Sequence, residues 1–142
     1  MKNSEKVSVM IVTLISAFLF FVVIILASAS PLSEMGRNAN QFNSLGMWIA
    51  IAMIFAFYII PLSIYIMGVD AMKYVMAIFC GVGVLCSFSI LLTVLIVSSI
   101  TKFVNSSLLG LALVCGLFIL NNIFWYFITF RSAIKEKKNL AV

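Results

Sequence analysis

The sequence predicts an all-α, polytopic membrane protein, folded as an antiparallel up-down four-helix transmembrane bundle. Hydrophobic residues make up 65% of the 142 residues and charged residues only 9%, which is outside the usual composition of soluble globular chains. Four stretches contain no Asp, Glu, Lys or Arg, at 7–29, 46–69, 74–101 and 103–130. Each is longer than the roughly 18 apolar residues that mark a spanning helix. Because the connections are short, neighbouring helices must run in opposite directions.

Helix length and insertion energy place the predicted spans within a single transmembrane domain, 1–142, at about 7–29, 46–68, 74–98 and 107–130. The first span contains fifteen Leu, Ile, Phe and Val residues. Their insertion free energies sum to about −5 to −9 kcal/mol before polar corrections. Membrane β-strands are disfavoured, because they would alternate apolar and polar residues over about ten positions, whereas these runs are continuous.

The start of the chain also has features of a cleaved signal peptide. Lys2 and Lys6 precede an apolar run that ends in Ala27-Ser28-Ala29, which resembles a small-residue signal-peptidase site. The hydrophobic region is about twenty residues long, against the roughly 7 to 15 residues of signal peptides. We therefore expect the first helix to be retained as a span, with cleavage as the alternative.

The distribution of cations predicts that both termini are cytoplasmic. Alternate connections must lie on opposite sides, and one side carries only Arg37 and Lys102. The other side carries seven cations, namely Lys2, Lys6, Lys73, Arg131, Lys135, Lys137 and Lys138. Because Lys and Arg resist translocation, we expect the tail 131–142 on the cytoplasmic side of the cell membrane and the loop 30–45 on the external side. The net charge of +5 is thus a topology signal, and we expect no nucleic-acid partner.

Aromatic residues near the ends of the spans indicate anchoring at the membrane boundaries. Trp48 lies near the outer start of the second span, whereas Tyr65, Tyr74, Trp125 and Tyr126 lie towards the inner boundary. Tyr58 is the exception, because it lies near the middle of its span. Its hydroxyl needs a polar partner there, so we expect it to face another helix and not lipid.

Small residues indicate where helices pack, since helices in lipid associate by close contact at such positions. The third span contains Ala77-x-x-x-Gly81 and Gly83-x-x-x-Ser87, and the fourth contains Ala112-x-x-x-Gly116. We expect these two helices to touch within one chain. The alternative is a surface for a second protein or a second copy.

Pro61 predicts a kink in the second span. A proline has no amide proton, so the carbonyl of Phe57 lacks its helical donor. The kink is structural in the simpler interpretation and part of a gate in the alternative.

Asn121-Asn122 is the most polar point within any span. At least one of these amides should point into the bundle, where an interhelical hydrogen bond contributes about 0.6 to 2 kcal/mol. We interpret the pair as a polar contact between helices, with substrate contact or contact between copies as alternatives.

The chain offers little for catalysis, and we expect no enzyme activity, no cofactor and no metal site. It contains no His, which removes the commonest general base and metal ligand. Its carboxylates are Glu5, Asp70 and Glu136 on the inner side and Glu34 on the outer side. Its thiols, Cys80, Cys86 and Cys115, all lie within spans, where they are apolar packing residues.

In size and hydropathy plan the chain resembles the uncharacterised small four-span membrane proteins of low-GC Gram-positive bacteria. Some four-span proteins of that kind act as immunity factors against toxins that attack at the membrane. The lack of catalytic groups and the small-residue packing faces favour a non-enzymatic interaction or accessory protein. Besides the lipid bilayer, its partner would be another membrane protein, a toxin or a second copy, bound through the spans and the loop 30–45.

The alternative function is a small transporter or channel subunit that acts as an oligomer. Its polar path would be lined by Ser87, Ser89, Thr93, Asn121 and Asn122. This plan resembles small multidrug exporters, which carry an acidic residue in the first span. Here the first span has none, which argues against proton-coupled export.

Overall fold

The computed structural model describes the backbone at 2–35, 40–101 and 106–140, and side chains at 6–35, 40–100 and 106–130. These residues form five helices and no strand, which confirms the all-helical prediction. The helices are α1 (Lys2–Ala29), α2 (Leu32–Met35), α3 (Leu45–Ile66), α4 (Met72–Thr101) and α5 (Ser106–Leu140). By length and composition, all but the short α2 could cross a membrane. Arg37 and Lys102, the expected outer cations, lie outside the described residues, as do the side chains of 131–142.

The helix ends differ from the predicted spans in several places. Helix α3, which corresponds to the predicted second span, ends at Ile66 and not at 68. The reason is that Gly68 has a φ of 110°, which lies outside the helical region. Helix α5 continues to Leu140, so the tail is largely an extension of the last helix. The loop 30–45 contains the one-turn helix α2, and the amide of its first residue, Leu32, donates to Ser30 Oγ at 3.3 Å.

Local sequence explains how α3 begins and continues. Ser44 has an extended backbone, and its Oγ accepts a hydrogen bond of 3.2 Å from the amide of Met47, so it caps the helix. The helix runs through Pro61, whose side chain is buried. The kink expected at Pro61 stays a prediction.

Each long helix packs antiparallel against its neighbours. Near the start of α1, Lys6 lies over the ring of Tyr65 near the end of α3. Further along α1, Phe21 contacts Phe55 of α3. Residue numbers thus rise on one helix as they fall on the other. Around the bundle, α1 contacts α3, α3 contacts α4, α4 contacts α5, and α5 contacts α1. Helices α1 and α4 lie on a diagonal and meet only briefly.

Two hydrophobic clusters form the core at different levels of the bundle. The cluster nearer the predicted cytoplasmic side, which we call the inner-end cluster, contains Tyr58, Met76, Cys80 and Trp125. The cluster nearer the opposite side, the outer-end cluster, contains Val23, Val94, Leu108, Leu111 and Cys115. Only 28% to 33% of the residues in the most apolar part of each long helix are buried. Most residues in these parts are therefore partly or fully exposed.

Candidate functional site

A hydrogen bond between two buried side chains joins the first and last long helices. The indole Nε1 of Trp125 on α5 donates to Oγ1 of Thr13 on α1 at 2.8 Å. Thr13 in turn donates to the carbonyl of Val9 at 2.7 Å. Both side chains have no exposed surface. The threonine hydroxyl therefore accepts one hydrogen bond and donates another.

The two asparagines contact the same face of α1 one turn further along. Asn121 Nδ2 donates to Ser16 Oγ at 2.7 Å, and Ser16 donates to Oδ1 of Asn122 at 3.2 Å. Asn122 Nδ2 donates to the carbonyl of Phe118 within α5 at 2.8 Å. We refer to Thr13, Ser16, Asn121, Asn122 and Trp125 together as the α1–α5 polar network.

The α1–α5 polar network has the properties of a structural contact. Thr13, Ser16, Asn122 and Trp125 are fully buried, and Asn121 is half-buried. None of the five side chains ionises near neutral pH, so the network holds no general acid or base. Its bonds fix how α1 sits against α5, because a shift of one helix would leave buried donors without acceptors.

Sequence reasoning missed three members of the network. Thr13 and Ser16 were not identified as candidates, and Trp125 was interpreted as a boundary anchor. The last interpretation is wrong, because Trp125 is fully buried and its indole is bonded to another helix. The available signal was the helical spacing of Val9, Thr13 and Ser16, which places them on one face.

Tyr58 lies inside the bundle, as its mid-span position suggests, but without the expected polar partner. Its side chain is 5% exposed and belongs to the inner-end cluster. Within the described part of the chain, its hydroxyl and those of Ser87 and Thr129 are buried without a hydrogen-bond partner.

The small residues of α4 receive aromatic side chains. A Cβ placed on Gly83 would lie 3.0 Å from Cζ of Phe118, and one on Gly81 would lie 3.1 Å from the hydroxyl of Tyr126. That hydroxyl donates to the carbonyl of Ala77. These positions thus accommodate aromatic rings from α5.

The remaining packing candidates have different surroundings. Ser87 is fully buried, and Ala112 packs against the outer-end cluster. Gly116 does not lie at a close contact, since a Cβ there would meet no atom within 4 Å. The expectation that Gly116 packs against the third span is therefore wrong, because the spacing motif does not show which face of α5 meets α4.

An open cavity of about 460 Å³ lies between α1, α3 and α4 at the end of the bundle where α2 crosses. We call it the outer cleft. Its wall is mostly apolar and includes Phe20, Val23, Ile24, Ala50, Ile54 and Ile90. The cleft is also lined by four residues with hydroxyl groups, Ser28, Ser33, Ser89 and Thr93, and by Leu32 and Asn40.

A second, polar cavity of about 480 Å³ adjoins the outer cleft. We call it the polar mouth. Ser28 and Ser33 line both cavities, so the two are adjacent at these residues. The mouth is further lined by Ser30, Glu34, Gln41, Phe42 and Ser107. Together the cavities form a site of mixed apolar and polar character.

The residues expected to line a transport path are separated in the structure. Ser87 is buried in the bundle, whereas Ser89 and Thr93 line the outer cleft. Asn121 and Asn122 contact α1 within the α1–α5 polar network. These five residues therefore do not share one surface.

Comparisons with known proteins place the chain among proteins of unknown role. Residues 1–134 match the model of a family described as "Family of unknown function (DUF5391)". The chain is 45% identical over 136 residues, covering 94% of each protein, to "Uncharacterized protein YxaJ" of Bacillus subtilis (strain 168). No solved structure matches it. The relative in Bacillus confirms the expected resemblance to uncharacterised bacterial proteins. The chain belongs to the DUF5391 family.

Proposed function

We propose that this protein is a non-enzymatic interaction or accessory protein of the cell membrane, which it crosses four times. Its apolar outer surface supports membrane insertion. Large side chains on every long helix face outward, among them Phe18, Ile60, Leu85, Ile96 and Phe127. Soluble monomers rarely expose contiguous apolar patches above a few hundred Å². Lipid is the solvent that such a surface requires.

The charges at the two ends support cytoplasmic termini. Lys6 and Lys73 lie at the end of the bundle that holds the connection between α3 and α4. Glu34 lies at the opposite end, next to the polar mouth. This placement agrees with the bias of seven cations against two along the whole sequence.

The open outer end is the observation that carries the interaction role. The outer cleft and polar mouth leave a recess there, below α2. Towards the other end, the ring of Tyr126 stacks with that of Phe130, and its hydroxyl donates to the carbonyl of Ala77 on α4. A partner that approaches from outside the cell would meet the recess first. Such a partner would be another membrane protein, a secreted toxin, as for an immunity protein, or a second copy.

Site-specific photocrosslinking in living cells tests this role. A photoreactive residue replaces Phe42 at the mouth, where 60% of the side chain is exposed, and Met67 at the other end, 84% exposed, as the control. We expect a discrete product from position 42 that is absent from position 67. Its partner should yield the same product from a probe on its own surface. Equal products at both positions, or none at 42, would contradict the role.

The transporter alternative receives no support from any particular contact. Its residues lie on separate surfaces of the chain, and a path would require several copies to bring them together. Vesicles containing the purified protein, tested against a broad set of solutes, would reveal such a path as flux above that of empty vesicles.

A further inference from the structure

We propose that the outer cleft and the polar mouth together bind a membrane lipid whose head group carries an amine. One acyl chain would occupy the outer cleft, and the head group would lie in the polar mouth. The inference rests on the membrane insertion proposed above. It adds a ligand class for the recess.

The two cavities lie side by side. An apolar recess borders a polar one at Ser28 and Ser33. The volumes of about 460 and 480 Å³ each lie within the range of small-molecule sites, roughly 300 to 1,000 Å³. A ligand that fits both must be amphiphilic, with its apolar part towards the middle of the bundle.

The position of the junction suits a lipid of the outer leaflet. Helix α1 ends at Ala29, which lines the mouth together with Ser107 in the first turn of α5. The outer cleft extends inward from there along Ile24 and Phe20. An acyl chain enters a bilayer in this direction, with its head group at the helix ends.

The hydroxyls around the recess act mainly as acceptors. Ser30 Oγ donates its one proton to the carbonyl of Ala27 at 2.8 Å, and Ser33 Oγ donates to that of Ser30 at 2.9 Å. In the cleft, Ser89 and Thr93 likewise donate to carbonyls of their own helix. Each hydroxyl then retains only lone pairs to offer a ligand. A ligand that bonds to these four hydroxyls must supply the protons.

The negative charge of Glu34 favours a ligand whose hydrogen-bond donor group is positively charged. Its carboxylate is exposed at the polar mouth and accepts hydrogen bonds only. An ammonium group would provide both protons and a charge opposite to that of the carboxylate. Acceptor hydroxyls and a carboxylate thus favour an aminophospholipid over an anionic lipid.

Native mass spectrometry on protein released from nanodiscs tests the proposal. The discs contain equal amounts of phosphatidylethanolamine and phosphatidylglycerol. We expect one retained phosphatidylethanolamine per protein, with a ~2- to 5-fold preference over phosphatidylglycerol, as for an exposed ion pair. In Glu34→Gln, which leaves the fold untouched, the preference should disappear while a lipid is still retained.

A matched pair of variants tests the acyl-chain site. Ala50 is half-buried and lines the outer cleft, whereas Ala52 is exposed on the outward face of the same helix. Ala50→Phe should lower lipid occupancy by at least ~5-fold, and Ala52→Phe should leave it unchanged.

Two results would overturn the inference: no lipid retained at unit stoichiometry, or the same retention and selectivity in wild type, Glu34→Gln and Ala50→Phe. Either result in a protein that still inserts would leave the proposed function standing. Failure to insert would remove both.

Discussion

Trp125 and Thr13 are separated by 112 positions in sequence, yet their side chains share a hydrogen bond of 2.8 Å inside the bundle. The bond fixes the last helix to the first at a level where both side chains are fully buried. Around it, the α1–α5 polar network supplies further bonds through Ser16 and the two asparagines. The contact between α1 and α5 therefore has a defined register, which apolar packing alone specifies less strictly.

Replacing Thr13 with Val should destabilise the fold. Valine keeps the shape of threonine but leaves the indole N–H of Trp125 buried without an acceptor. We expect a loss of about 1 to 2 kcal/mol in the free energy of unfolding, measured by denaturant titration in detergent micelles. The control is Thr93→Val, since Thr93 is exposed and bonds only to its own helix. A control loss as large as that of Thr13→Val would argue against the role of the interhelical bond.

Ser16 and Asn121 should be energetically coupled. Ser16→Ala and Asn121→Leu each remove one end of the 2.7 Å bond, so the double variant should lose less than the sum of the single losses. We expect a coupling energy of about 0.6 to 1.7 kcal/mol from a double-mutant cycle of unfolding free energies. A cycle of Asn121→Leu with Ser89→Ala serves as control, because Ser89 bonds within α4. Strict additivity in the first cycle would contradict the contact.

Two glycines should respond oppositely to alanine. Gly83→Ala places a methyl group 3.0 Å from the fully buried ring of Phe118, and we expect a loss of about 1 to 3 kcal/mol. Gly116→Ala meets open space and should be neutral or stabilising by up to about 1 kcal/mol, since alanine favours the helix. Thermal unfolding of both variants in detergent gives the comparison. A reversed order would contradict the packing of α4 against α5.

The number and approximate length of the long helices follow from the sequence because insertion of a span depends on its summed hydrophobicity. The end of α3 was harder to place, since hydropathy continues past Ile66 to Val69 whereas the φ of Gly68 ends the helix earlier. Hydropathy measures solubility in lipid and not backbone geometry.

The partners of polar side chains could not be predicted from spacing. Asn121 and Asn122 were identified because amides are rare in spans, but their acceptor and donor on Ser16 depend on which helices are neighbours. The outer cleft has no sequence signature, because it arises where Ala50, Ile90 and other residues of three helices leave space between them. Single-helix patterns do not contain that information.

Cysteine accessibility in intact cells tests the four-span arrangement most directly. Cysteine is placed at Gln41 by the polar mouth or at Asp70 in the connection between α3 and α4, both exposed, in a Cys86→Ala background. Cys80 and Cys115 are buried. A membrane-impermeant maleimide should label position 41 in whole cells and position 70 only after permeabilisation. Labelling of position 70 in whole cells, or of neither position under any condition, would contradict the account.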